Sequence, residues 1–354
     1  LSENAAFAEA CEAAGIAFVG PSAEAIRVMG SKDEARRAMS AAGVPVVPGA
    51  DVDEVARDAE GAAARVGFPL LVKAAAGGGG KGMRVVRAPE ELAEAVAAVR
   101  REALAAFGDD AVLLERWIED ARHVEVQIFG DAHGEVFHLL DRDCSTQRRH
   151  QKVMEEAPAA DYGSEAMRAA AVAAARAVDY VGAGTVEFVA TRHAGEFFFL
   201  EMNTRLQVEH PVTELITGLD LVALQLAVAA GRRLEEFLGA GIRADGHAVE
   251  VRHYAEAPAT GFLPSTGRLE HLELPSGMPG IRVDAGVRQG DLVSPFYDPM
   301  IAKIVAHGSN RAQALARMRA GLAATRIHGV RTNLDLLRAL LTDRLWCEVP
   351  VATT

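Results

Sequence analysis

The run Glu201-Met-Asn203-Thr-Arg205-Leu-Gln207-Val-Glu209 constrains the fold of this chain more than any other segment. Its odd positions are all polar, and its even positions, Met202, Thr204, Leu206 and Val208, are apolar or small. At the two-residue period of a β-strand, one face carries two acids, two amides and a guanidinium. Such a face is costly to bury without partners, and it suits a cation beside an anionic ligand. At roughly 3.3 Å per residue a straight strand would hold Glu201 and Glu209 ~26 Å apart. That is too far to serve one reacting centre, so the run is expected to bend after about Thr204.

The preceding residues supply a partner strand. Thr185-Val-Glu187-Phe-Val-Ala190 and Glu196-Phe-Phe-Phe-Leu-Glu201 are two strand-like runs joined by Thr-Arg-His-Ala-Gly, a turn-like break. A hairpin centred on Ala194 places Glu187 opposite Glu201. Cross-strand neighbours lie roughly 4.5–5.5 Å apart at Cβ, and like charges there repel. Two facing carboxylates with Asn203 form an oxygen donor set of the kind Mg²⁺ prefers, together with phosphate oxygens. An edge hairpin with a solvated polar face is the competing reading.

The chain has 354 residues, half of them hydrophobic, enough for two or three domains. A net charge of −12 disfavours nucleic acid as the main partner. Cys11, Cys144 and Cys347 have no CxxC spacing, so neither a disulfide framework nor a zinc site is expected, and a reducing cytoplasm fits best. No apolar run reaches the ~18 residues of a membrane span, so no membrane partner is expected. Of 37 basic residues only five are lysines: Lys32, Lys73, Lys81, Lys152 and Lys303. In a chain that otherwise uses arginine, a retained lysine points to a site wanting a compact ammonium.

Periodicity and punctuation give the organisation. Helices are expected over 3–14, 53–66, 90–106, 164–178, 212–230 and 310–324, and a short strand at 16–19. Further strands are expected at 69–73, 83–86, 112–115, 123–129, 135–141, 185–190, 196–203, 247–254, 281–284 and 300–306. Gly43-Val-Pro-Val-Val-Pro-Gly49 reads as a boundary. The whole is α+β with largely antiparallel sheets.

Several segments could carry chemistry. Lys73-Ala-Ala-Ala-Gly77-Gly-Gly-Gly80-Lys81-Gly82 joins two strands, and such a loop can lay backbone N–H groups against phosphates. It is not a Walker A loop, because Gly82 stands at the Ser/Thr position and a strand follows. A plain hairpin tip remains open. Glu115-Arg116-Trp117-Ile118 leads from an apolar strand into a connector that could hold a base. His123 lies on an alternating strand. Gln147-Arg-Arg-His150-Gln-Lys152 is a basic stretch that could bind an oxyanion or be a solvated loop. Arg252 follows an apolar strand and would need a partner if buried.

Together, the glycine loop after Lys73, the stretch Asp-Cys-Ser-Thr-Gln-Arg-Arg-His-Gln-Lys and the stretch Glu-Met-Asn-Thr-Arg-Leu-Gln-Val-Glu-His-Pro-Val-Thr-Glu closely resemble biotin carboxylase, the ATP-grasp component of biotin-dependent carboxylases. The resemblance runs from Leu-Ser-Glu-Asn to about Val330-Arg-Thr-Asn333. It implies an ATP-grasp fold in four parts: a remnant of an N-terminal α/β domain (1–47), a mobile lid (48–117), a catalytic core (118–232) and a biotin-carboxylase C-terminal domain (233–354). By the same resemblance Lys32 and Lys73 match nucleotide-phosphate lysines, and Gly79 and Gly80 match the phosphate-covering lid. Glu115, Arg116, Trp117 and Ile118 match the adenine hinge. His123, Gln147 and His150 match polar residues of the nucleotide site. Glu187, Glu201 and Asn203 match the metal site. Lys152, Arg205, Gln207 and Val208 match the bicarbonate site, Glu209 its base, and Arg252 the residue that stabilises the biotin enolate.

The implied activity is ATP-dependent carboxylation of biotin with bicarbonate through carboxyphosphate. It needs Mg²⁺ or Mn²⁺, a biotinylated carrier domain and a carboxyltransferase subunit, in a homo-oligomer. The stretch Tyr254-Ala-Glu-Ala-Pro-Ala-Thr-Gly-Phe-Leu-Pro-Ser-Thr-Gly is similar to acyl-CoA carboxylase α subunits. Members of the family carry about one more α/β half-domain before Leu-Ser-Glu-Asn, which this chain is expected to lack. No Met-Lys-Met biotinylation segment is read in it. The alternatives are another ATP-grasp carboxylate ligase, which the Arg205–Glu209 spacing disfavours, and a noncatalytic nucleotide-binding scaffold.

Overall fold

The computed structural model describes residues 1–76, 82–119, 121–148, 151–159, 162–191, 195–239 and 241–343. The chain opens with helices α1 (Ala5–Ala13), α2 (Ala23–Gly30) and α3 (Lys32–Ala41). The hydroxyls of Ser22 and Ser31 cap α2 and α3 by accepting the N–H groups of Ala25 and Glu34. Neither α2 nor α3 is among the sequence expectations. The strand expected at 16–19 does not form. Those residues run as a loop with Ile16 62% exposed, and among the described residues no strand pairs with them.

An antiparallel sheet follows, built from β1 (Gly49–Ala50), β2 (Leu70–Ala74), β3 (Met83–Val86) and β4 (Val112–Arg116) in the order β1-β4-β2-β3. Helices α4 (Val52–Arg57), α5 (Ala59–Val66) and α6 (Leu92–Phe107) pack on it. Leu70, Val72, Val86, Val112 and Leu114 meet Val55, Ala62, Leu92 and Val99 in a continuous apolar core. The single helix expected over 53–66 is two. Asp58, at φ −156°, ends α4, and its carboxylate accepts the Gly61 N–H at 2.9 Å to start α5.

The rest of the chain supplies β5 (Arg122–Gly130), β6 (Val136–Arg148), β7 (Gln151–Ala157), α7 (Glu165–Arg176), β8 (Gly182–Ala190), β9 (Phe197–Asn203), α8 (His210–Thr217), α9 (Leu221–Ala229) and β10 (His247–Tyr254). Strands Ile281–Ala285 and Met300–Gly308 and helix Arg311–Ala324 come next. Two expectations need correction. The helix expected over 212–230 is divided where Gly218, at φ 72°, closes α8 in a left-handed turn. The basic stretch 147–152 is not one solvated loop: Gln147 and Arg148 end β6, and Gln151 and Lys152 open β7, a strand the sequence pattern does not reveal. Strand β9 does stop at Asn203, so the polar run leaves the sheet where its length requires.

Two compact units result, each assembled from segments distant in sequence. The first comprises Leu1–Leu139, Ser164–Gln207 and Leu221–Gly241, and the second Leu140–Gly163, Val208–Asp220 and Ile242–Thr354. In the second, strands Ile281–Ala285, Met300–Gly308, β10, β7 and the distal part of β6 pair antiparallel in that order. Alternation sorts their side chains. Val249, Val251, Ile304 and Ala306 pack on Leu315, Met318 and Leu322 of helix Arg311–Ala324. On the opposite face Ala157, Ala248 and Val305 pack on Val212 and Ile216 of α8. Among the described residues no single helix is long and apolar enough to cross a membrane.

Glu156 of β7 is buried with His247 at 2.9 Å and Arg311 at 2.6 Å. Burial alone would raise its pKa, but hydrogen bonds from His247 and Arg311 outweigh it and bring the carboxyl down to about 2 from 4.5. A depressed carboxylate stabilises the fold above its unfolded pKa, and that contribution is lost as pH falls through the folded value. Glu156→Gln should therefore destabilise by about 3 kcal/mol at neutral pH. The penalty should fade below about pH 4.5 and vanish near pH 2 in denaturant melts. A penalty independent of pH would show that packing, not ionisation, sets the role of Glu156.

Candidate active site

The first unit carries a row of carboxylates. Strand β8 pairs with β5 on one side and β9 on the other, and the registers align Glu125 with Glu187 and Glu187 with Glu201. The next row holds Gln127, Thr185 and Asn203. A one-residue bulge decides this. Phe188 pairs with Phe199, so Leu200 is the extra residue that shifts Glu187 onto Glu201. Without it Glu187 would face Leu200, and the acid of β9 would turn to the other side of the sheet.

The Glu187 carboxylate accepts from Asn203 Nδ2 at 2.8 Å, and His123 Nε2 lies 2.8 Å from its other oxygen. Donor atoms of His123, Glu125 and Glu187 lie within 4.8 Å of one another. Glu125 and Glu187 are 0% and 4% exposed, so the pair is desolvated as well as alike in charge. A hard divalent cation offsets both costs, and the residues present therefore fit one. The expected set Glu187, Glu201 and Asn203 lies together here, joined by Glu125, which the sequence reading passes over, and by His123.

Two lysines face the same strands of this unit. Lys32, the first residue of α3, donates to the Ala74 carbonyl at 3.1 Å. Its pKa is lowered by burial first and then by the Lys73 charge, against the opposing pull of Glu201 and Glu115. Lys73 of β2 is bonded to Glu115 of β4, and Arg36 approaches the same carboxylate at 3.7 Å. Glu115 thus anchors Lys73. In the segment after it, the Arg116 and Trp117 N–H groups are already taken by the carbonyls of Pro48 and Pro69 at 2.8 and 3.0 Å. Among the described residues the amide of Ile118 is the one in this pair-bonded segment without a backbone carbonyl partner. Arg205 donates through Nη1 to Gln207 at 2.8 Å and through Nε to Glu3 at 2.9 Å. Gly79, Gly80 and His150 lie outside the described residues.

The second unit holds a denser charge cluster. Glu209 is wholly buried at the N-terminus of α8. Its carboxylate accepts from Lys152 Nζ at 2.7 Å and from Arg252 Nη2 at 2.9 Å. Arg252 also donates from Nε to Glu155 at 2.6 Å. Burial opposes the charge on Arg252, but Glu155 and Glu209 hold its pKa well above the ordinary value. Lys303, opposite Arg252 in the β10 register, donates to the Val208 carbonyl at 2.8 Å and lies 3.4 Å from Asp284. Gln147 donates to the Cys144 carbonyl at 2.9 Å. A buried carboxylate between two cations can take a proton from a bound acid, and a guanidinium beside it can face a developing oxyanion.

Sequence reasoning misses Glu3, Glu125, Glu155 and Lys303. Lys303 had a signal, since it is the one lysine outside the motifs in an arginine-rich chain. Glu125 had a weaker one, on the same alternating strand as His123. Glu3 and Glu155 had none, because their partners are distant in sequence.

Comparison with known proteins identifies the family. Residues 1–26 match the biotin carboxylase N-terminal domain, 31–237 the ATP binding domain of carbamoyl-phosphate synthase L chain, and 250–354 the biotin carboxylase C-terminal domain. The chain is 50% identical to the mitochondrial methylcrotonoyl-CoA carboxylase subunit alpha of Glycine max, over 100% of its own length and 49% of that protein. It is 49% identical to the biotin carboxylase of Haemophilus influenzae, over 97% of its own length and 77% of that protein. The biotin carboxylase–β-γ-ATP complex from Campylobacter jejuni superposes with a TM-score of 0.93 at 40% identity, covering 100% of this chain and 79% of that one. The biotin carboxylase domain of Hydrogenobacter thermophilus 2-oxoglutarate carboxylase, a dimer with MgADP and bicarbonate, gives 0.92 at 42% identity, covering 100% and 78%. The chain thus spans about half the length of the curated α subunits it matches. With its family models laid end to end along the sequence, this chain belongs to the biotin carboxylase family of ATP-grasp ligases.

Proposed function

We propose that this chain is the biotin carboxylase part of an acyl-CoA carboxylase and carboxylates biotin with bicarbonate at the expense of ATP. The observation that carries the reading is the buried Glu209 carboxylate clamped by Lys152 and Arg252. Such a group is held ionised by its cations and is free of bulk water, as a base for a small acid must be.

Lys32 and Lys73 are the proposed phosphate ligands, with the glycine loop at Gly79 and Gly80, and the Ile118 amide is proposed to read the adenine. Glu187, Glu201 and Asn203, with His123 and Glu125 beside them, would hold Mg²⁺ or Mn²⁺. A bound divalent ion supplies charge neutralisation of the phosphate oxygens. Lys152, Arg205, Gln207 and the Val208 backbone are proposed to hold bicarbonate. Glu209 takes the bicarbonate proton, and the dianion attacks the γ-phosphorus as the bond to ADP breaks. Carboxyphosphate then splits into CO₂ and phosphate. Phosphate removes the biotin N1 proton, and N1 attacks CO₂. Arg252 offsets the charge on the ureido oxygen. Its two carboxylate partners occupy only part of a five-donor guanidinium, which leaves N–H groups for that oxygen.

The proposal extends to a biotinylated carrier domain, a carboxyltransferase that passes the carboxyl group to an acyl-CoA, a homo-oligomeric assembly and a cytoplasmic setting. The free thiols of Cys11 and Cys144 suit a reducing compartment. The four-part division at 47, 117 and 232 is part of the same proposal, with the sheet of β1 to β4 as the lid.

Full-length protein should cleave ATP only with bicarbonate present, and free biotin should accelerate ADP release. ADP release that ignores both would remove this reading. Glu209→Gln and Arg252→Ala should each lower biotin-dependent turnover by about 100-fold or more, while ATP affinity stays within about threefold of the parent. Normal turnover in either variant would strip that residue of its assigned role.

A further inference from the structure

Beneath Arg252 lies an acid pair that the proposed reaction does not use. Glu155 of β7 and Glu250 of β10 are register partners on adjacent antiparallel strands, so their side chains leave the sheet on the same face. Arg252, two residues along β10, shares that face. Both carboxyls are 0% exposed. Glu155 spends Oε1 on Arg252 Nε at 2.6 Å. Its Oε2 and both oxygens of Glu250 are buried without a hydrogen-bond donor among the described residues.

Two ionised carboxylates cannot face each other there undonated, because each loses its water and each repels the other. One proton resolves both costs, since a protonated carboxyl becomes the donor its neighbour lacks. The cations that act on the pair are already engaged elsewhere: Lys152 and Arg252 by Glu209, and Lys303 by the Val208 carbonyl and Asp284. Among the described residues Tyr254 of β10 accepts from Arg252, and the Cys144 thiol of β6 lies within 4.8 Å of Glu209. We propose that Glu155 and Glu250 share one proton, with Glu250 the neutral donor and Glu155 the carboxylate it aims at Arg252. Glu155 and Glu250 are then positioning residues. They fix the guanidinium that would meet the biotin oxyanion, and neither touches substrate.

The titration directions agree. Burial is the largest cause for both: it raises Glu155 to about 7 and Glu250 well above 4.5, with Arg252 opposing in each case and Lys303 also opposing at Glu250. The pair titrates as a unit, so the shared proton is a property of both carboxyls.

This inference rests on the role proposed for Arg252, and two separate readouts on the full-length protein test it. The first is stability. A carboxyl kept protonated by the fold has a raised folded pKa, so it costs stability as pH rises above its unfolded value near 4.5. Glu250→Gln, uncharged in both states, should raise the melting temperature at mildly alkaline pH, and the gain should shrink to nothing as pH falls toward 4.5. A loss of stability that grows with pH would mean that Glu250 is an ionised partner of Arg252 and Lys303, and would overturn the proposal. The second readout is turnover. Glu250→Gln can still donate to Glu155 and should keep kcat with biotin within about twofold. Glu250→Leu cannot, and should lower kcat by about 10- to 100-fold with KM for ATP unchanged. Equal kcat in the Gln and Leu variants would also overturn it. If the parent shows no biotin-dependent turnover, the functional reading fails while the melting curves still decide the shared proton.

Discussion

The polar interior of the second unit is organised around one buried carboxylate. Glu209 has no access to water, and a lone carboxylate there would be driven toward its neutral form. Lys152 and Arg252 offset that cost from adjacent strands. Arg252 in turn cannot be buried with a single partner, so Glu155 is brought against its Nε. Glu155 then needs a donor for its second oxygen, and Glu250 faces it. Each group creates the requirement that the next one meets. The chain of partners ends where a proton, instead of another cation, completes it.

The first unit solves a similar problem with a different device. Glu125, Glu187 and Glu201 are set side by side across three strands, where they repel. Asn203 and His123 flank the central one, and the residual repulsion is what suits the row to the cation proposed for it. One bulge at Leu200 fixes the row, because a strand slipped by one residue would send Glu201 to the other face. The lysines of this unit are handled likewise. Lys73 is aimed by Glu115, and Lys32 by a backbone carbonyl.

Much of this was legible in the residues. The strands at 185–190, 197–203 and 247–254 stand where alternation put them, and the polar run leaves the sheet after Asn203, as its length demanded. Strand β7 was hidden because its sequence, Gln-Lys-Val-Met-Glu-Glu-Ala, shows no two-residue alternation and carries two acids that are buried only through distant partners. Lys152 looks solvated in the sequence yet points at a buried acid. Helices were misjudged where one capping residue divides a continuous periodic pattern, at Asp58 and at Gly218. Local hydrogen bonding there overrode the period.

The sequence by itself determined the kinds of group available and their spacing along each strand. It also marked which cations are lysines, and carried motifs specific enough to identify the family. Those properties are local, because strand periodicity and residue chemistry do not depend on distant segments. Only the tertiary structure decided which acid faces which cation: Glu3 on Arg205, Glu155 on Arg252, and Lys303 on the Val208 carbonyl. Pairing across strands depends on register, bulges and the order of strands in the sheet. These are fixed by packing of the whole unit, and no short stretch of sequence contains them.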